Sequence, residues 1–213
     1  MNTLAAALQT DGLPALLLVV GGVGFVALAA ASAGVPAAIW TGPPEDSLPL
    51  IARHATIWRL ANIGFVVATV LTAAGLFGLP WSLGEHGTGL ALAAAVGYAM
   101  AGTAWLIALF IRLGITPGVA ASYVANGSVD PAFAPLAALA GVLFAAFIVI
   151  GCSSLTALGV AALLGGALPI WVGWTTLSAG AAILVGYLVM GDTLPAFVYL
   201  PTILLGIVQL LGS

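Results

Sequence analysis

The sequence predicts an all-α fold, a polytopic transmembrane helical bundle of about six helices in one domain, and three observations predict it. Hydrophobic residues fill 63% of the 213 positions and charged residues 4%, with a mean hydropathy of +1.27, so there are too few polar side chains to cover a water-facing globule. Apolar runs recur at about the 20 residues a helix needs to cross roughly 30 Å of hydrocarbon, where lipid offers an open backbone no partner. Turn-forming clusters separate these runs, and no stretch between them is long enough for a core of its own, so 1–213 reads as a single transmembrane domain.

The expected helices are 13–40, 56–79, 88–113, 135–164, 169–190 and 194–211. Gly42-Pro43-Pro44-Glu45-Asp46 closes the first, Pro80-Trp81 with Glu85-His86 the second, Thr116-Pro117-Gly118 the third, Gly165-Gly166 the fourth and Gly191-Asp192-Thr193-Leu194-Pro195 the fifth. Pro36 and Pro201 are expected to kink the first and last helices. The fourth, about 45 Å long, outruns a bilayer and so must tilt, bend or project. Ser153, Ser154 and Thr156 can bend it by bonding back to carbonyls one turn earlier. Before the first helix, Leu4 and Leu8 share a face, so residues 3–10 read as a short interfacial helix or a frayed terminus. The amino terminus lacks the basic region of a cleavable signal and is expected to stay attached.

Six acidic residues and three basic ones, all arginine, give a net charge of −3. That excludes the dense cationic patch needed for nucleic acid and the basic cluster needed for polyanionic lipid recognition. With six crossings, Arg53, Arg59 and Arg112 fall at one membrane face, which the positive-inside rule puts in the cytoplasm. Trp40, Trp58, Trp81, Trp171 and Trp174 stand near helix ends, where an indole suits the headgroup level.

The candidate ligand-binding residues lie on the second and third helices. Arg59, Asn62 and Thr69 fall within about 80° on a helical wheel, a polar stripe beside Val66. The functional reading is a cavity where Arg59 and Asn62 bind an anionic or carbonyl-bearing group; the competing one is an arginine that snorkels to headgroups or pairs with a loop carboxylate. Tyr98, Trp105 and Arg112, seven residues apart, share one face of the third helix: either a ligand groove or packing that ends in an interfacial anchor. Asp130 and Asp192 are candidate ion-pair partners for Arg112. On the far side of the second helix, Gly64, Ala68 and Thr72 form a ridge of small residues that admits a neighbouring backbone; Ala93-Gly97-Ala101, Ala137-Gly141-Ala145 and Ser178-Ala182-Gly186 repeat the spacing. With its second helix contacting protein on two sides and its fourth outrunning the lipid, the bundle is not expected to be a simple symmetric ring.

Catalytic templates fail in turn. Gly151-Cys152-Ser153-Ser154 is followed by no histidine to serve as a base, and Gly191-Asp192 has no second membrane-level acid. His54 and His86 are expected on opposite sides of the bilayer, which rules out a shared metal or haem within the chain. No lysine exists for a Schiff base, Cys152 reads as a small core residue, and Asn126-Gly127-Ser128 reads as an accidental glycosylation match on a cytoplasmic loop. No catalytic residue, metal or cofactor is expected. Pro36 and Pro201 do not occupy matching places in two halves, and no acid lies mid-helix, which argues against an ion-coupled pump.

The run Ile51-Ala52-Arg53-His54 with Trp58-Arg59-Leu60-Ala61, and Leu168-Pro169-Ile170-Trp171-Val172-Gly173-Trp174 after a long fourth helix, resembles a family of small bacterial six-helix membrane proteins classed as a domain of unknown function. Arg59 and the Trp171–Trp174 stretch match its pattern over about residues 50–190; Ile170 stands where the family has a basic residue. The resemblance implies a six-helix fold in a bacterial inner membrane and no activity. The expected function is that of a non-enzymatic scaffold or accessory subunit, or a binder of lipid-like small molecules. Its partners would be membrane lipid and either other membrane-protein subunits or further copies of itself in a homo-oligomer, with no nucleic acid. The alternative is a transporter or channel for a small neutral or anionic solute.

Overall fold

The computed structural model describes residues 12–32 and 35–212. All regular structure there is helical: α1 (Leu13–Ala31), α2 (Ala38–Thr41), α3 (Pro44–Arg53), α4 (Ala55–Gly78), a 3-10 turn (Leu79–Ser82), α5 (Glu85–Gly114), α6 (Thr116–Asn126), α7 (Phe133–Gly165), α8 (Ile170–Met190) and α9 (Ala196–Gly212). Five of these, α1, α4, α5, α7 and α8, are long and apolar enough to cross a membrane, with α5 and α6 together forming one span of 42 residues. α9 is apolar but has 17 residues, about 25 Å of helix, so the expected sixth crossing is the shortest.

Two expectations are corrected. The first helix does not run to residue 40: α1 stops at Ala31, Ser32 Oγ donates to Leu28 O at 2.7 Å, and Pro36 lies in the break before α2. Proline offers no N–H to continue the ladder and pushes the preceding residue out of helical conformation, so the helix ends rather than kinks. The junctions around 44–53 and 116–126 are helices, not open turns. Pro44 opens α3, Glu45 and Asp46 lie at its positive end and Arg53 at its negative end, an arrangement matched to the helix dipole. α6 starts on Thr116-Pro117 and ends at Gly127, whose φ of 72° is a left-handed cap that glycine adopts without steric cost. The expected segment at residues 3–10 lies outside the described residues.

The long helices alternate in direction, and each packs on the next: α1 on α4, α4 on α5, α5 on α7, α7 on α8, α8 on α9, with α9 closing onto α1. The seams are unequal. α4–α1–α9 and α5–α7–α8 form two three-helix sheaves joined by the thinner α4–α5 and α8–α9 contacts. At one end α3 packs on α6 over a small separate core that includes Ile39, Leu48, Ile51, Trp58, Ala120 and Phe133. This cap sits at the end that carries Arg53, Arg59 and Arg112.

Close backbone approach sets the strong seams. A methyl group added at Gly21 of α1 would lie 2.8 Å from Ala68 O and Thr72 N of α4, and one at Gly75 would lie 2.8 Å from Pro14 O, so the Gly64-Ala68-Thr72 ridge is a true helix contact. Gly97 likewise faces Ser154 of α7. At the other two spacings the glycine is not a close approach: Gly141 has nothing within 4 Å, and Gly186 meets only Met190 of its own helix. Along α7, Ser153, Ser154 and Thr156 donate to Val149 O, Ile150 O and Cys152 O at 2.8–2.9 Å, the back-bonding expected of them. Cys152 is fully buried.

Candidate functional site

The buried face of α4 runs through Trp58, Ala61, Asn62, Phe65, Ala68, Thr69 and Thr72. Arg59 lies outside it and is exposed, because it sits about 60–80° farther round the helix than Asn62 and Thr69. The polar stripe therefore splits: its arginine faces outward, and its amide and hydroxyl face the bundle. On α5 the seven-residue spacing puts Tyr98 and Trp105 in the core and leaves Arg112 half-buried at the capped end.

Inside the bundle, Asn62 Nδ2 donates to Trp58 O at 2.7 Å, while Asn62 Oδ1, Trp105 Nε1 and the Tyr98 hydroxyl are buried without a hydrogen-bond partner. About 10 Å farther along α4, Thr69 Oγ1 donates to Phe65 O at 2.7 Å and accepts from the Tyr199 hydroxyl at 2.8 Å. Tyr199 was not among the residues the sequence singled out. Its signal was available: a tyrosine within an apolar helix needs a partner for its hydroxyl. Its ring stacks on Phe25 at 4.0 Å, and Phe25 stacks on Phe65 at 4.5 Å. Trp105 stacks on Phe147 at 5.5 Å, and Phe147 lies 6.4 Å from Tyr199. The ring contacts thus run from one sheaf to the other, through Phe147 and Tyr199. Tyr199→Phe is expected to lower stability by about 1 kcal/mol, the usual net worth of one such bond. A double-mutant cycle with Thr69→Val, read by thermal unfolding in detergent, checks this; no coupling would show the pair contributes nothing.

At the capped end the arrangement is different. The Arg112 guanidinium carbon lies 4.9 Å from the Trp58 ring centroid and 5.3 Å from that of Trp40. The two indoles stack on each other at 5.0 Å and 19°. Trp58 Nε1 donates to Arg112 O at 2.9 Å, which ties α4 to α5 and holds the ring. Trp58 is 2% exposed, so it is a wall of this site and not an outward anchor, whereas Trp81, Trp171 and Trp174 are half or more exposed. Among the described residues no carboxylate pairs with Arg112; Asp130 and Asp192, the expected partners, are exposed and make only backbone contacts. A guanidinium beside indole rings still has N–H donors to offer a carboxylate or phosphate. The structure thus gathers Arg112, Trp40 and Trp58 at one end, with Asn62 one turn deeper, and separates Arg59 from them.

The surface of the described residues includes two grooves. One of about 440 Å³ lies at the opposite end, lined by Ser82, Leu168, Trp171, Val208 and Gln209 among others. The other, of about 330 Å³, runs between α5 and α7 beside Ala93, Ser153 and Ser154. Among the described residues no three His, Cys, Asp or Glu side chains converge as a metal set. No protein-family model, curated protein or solved structure matches the chain.

Proposed function

We propose that this chain is an integral membrane protein of a bacterial inner membrane, crossing it about six times. In this reading it is a non-enzymatic bundle that binds an amphiphile with an anionic head at Arg112, Trp40 and Trp58. The observation that carries the reading is a half-buried arginine beside a stacked pair of indoles with no carboxylate partner among the described residues. A partly desolvated cation needs a counter-charge, and at headgroup depth the anion at hand is a lipid phosphate or carboxylate. Arg53 and Arg59 lie at the same end, so the positive-inside rule favours a cytoplasmic placement for it. Glu45, Asp46, Asp130 and Asp192 are there too, all exposed, where water screens them.

The transport alternative is less well supported, because fully buried rings, Phe25 stacked on Tyr199 and Phe147 beside Tyr199, pack where the two sheaves meet. A scaffold role is compatible with lipid binding, since a lipid-bound bundle can also seat other subunits.

The test is native mass spectrometry of the chain purified in mild detergent and titrated with phosphatidylglycerol and phosphatidylcholine. Phosphatidylglycerol is expected to bind more tightly, and Arg112→Gln to weaken it about tenfold or more, the worth of one charge-assisted contact. Arg59→Gln, on the outward face, is expected to change it far less. Equal binding of the two lipids, or no effect of Arg112→Gln, would sink the reading.

A further inference from the structure

At the end away from the arginines, the α7–α8 turn and the last turns of α9 enclose the groove of about 440 Å³. Gln209, on its wall, is 8% exposed. Its Nε2 donates to Ser82 Oγ, and Ser82 Oγ spends its own proton on Leu79 O at 2.8 Å. Gln209 Oε1 has no partner. The terminal torsion of a glutamine is soft and its oxygen and nitrogen exchange places by a half-turn, so this side chain can present an acceptor or a donor to whatever enters.

Charge narrows the choice of ligand. Arg53, Arg59 and Arg112 lie at the other end, and the ionisable described residues toward this groove are Glu85 and His86, exposed at the start of α5. Among the described residues no arginine lies here to offset a phosphate or carboxylate, so the groove wall offers an anionic head no buried counter-charge. The remaining walls, Leu168, Pro169, Val208 and the half-exposed ring of Trp171, are apolar and open outward.

We propose that this groove binds the head of a neutral, hydroxyl-bearing amphiphile of the monoacylglycerol class. A hydroxyl of the glycerol donates to the Gln209 amide oxygen, the carbon face of the glycerol lies on Trp171, and the acyl chain leaves along Val208 and Leu168. The site shares no residue with the Arg112 site, so either can fail without the other.

The experiment titrates the detergent-purified full chain with 1-oleoylglycerol and with its di-O-methyl ether, which keeps the shape and loses the donors, and reads both by native mass spectrometry. The alcohol is expected to bind about tenfold more tightly than the ether, and Gln209→Leu to abolish that preference. Trp171→Ala, at an exposed position, is expected to weaken the alcohol severalfold. Equal affinity for alcohol and ether, or a preference that survives Gln209→Leu, overturns the proposal. Should Gln209→Leu not fold, Trp171→Ala decides: unchanged binding of 1-oleoylglycerol overturns it as well.

Discussion

Replacing Phe25 with alanine is expected to lower the unfolding free energy of the bundle by about 3 kcal/mol or more. Phe25 is fully buried and stacks on Tyr199 at 4.0 Å and on Phe65 at 4.5 Å, so one ring holds α1, α9 and α4 together. In lipid the term lost is mainly packing, because hydrocarbon solvates a freed apolar surface about as well as protein does. A hole inside the bundle gains no such solvent, and the rings lining it lose their dispersion partners outright. Val23, 48% exposed on the same helix, is the control: Val23→Ala is expected to be nearly neutral. Chemical unfolding in mixed detergent micelles measures both, and a Phe25→Ala cost below about 1 kcal/mol would mean the aromatic stack is not the keystone described above.

Gly180→Val is expected to be as damaging by the opposite mechanism. A side-chain carbon at Gly180 of α8 would lie 2.8 Å from Thr156 N and Thr156 Oγ1 and 2.9 Å from Cys152 O of α7. Two of those three atoms are backbone and cannot swing aside, so the helices must separate, at a cost of about 3 kcal/mol, the upper part of the overpacking range. Gly186, on the same helix, meets only its own Met190 at 3.5 Å, and Gly186→Val is expected to be tolerated. The pair of variants, compared by thermal denaturation, separates close approach from a general effect of removing glycine from α8. Similar losses in both would refute the seam.

That contrast marks a limit of reading from sequence. Gly186 belongs to a small-residue triple at helical spacing, and Gly180 belongs to none that was singled out, yet Gly180 makes the contact. In a chain so rich in alanine and glycine, spacing alone does not separate a ridge that faces protein from one that faces lipid. The same holds on α4: Arg59, Asn62 and Thr69 form a stripe on the wheel, but the wall of the bundle cuts through it. Trp40 and Trp58 read as anchors by position; only the pairing of α4 with α5 brings Trp58 to Arg112, and only the placement of α2 brings Trp40 there. A helix polar on one face announces its orientation; one apolar all round does not.

By itself the sequence determined that the chain is helical, where its five longest helices lie apart from the end of the first, and that its three cations gather at one end of an alternating bundle. Those follow from composition, run length and turn residues, which act locally. Which face of each helix meets a neighbour, where α1 stops, that α3 and α6 build a cap, and that Arg112 lies beside two stacked indoles were decided by the tertiary structure. The physical reason is that outward-facing and inward-facing surfaces are almost equally apolar here, so only the fit of one helix against another tells them apart.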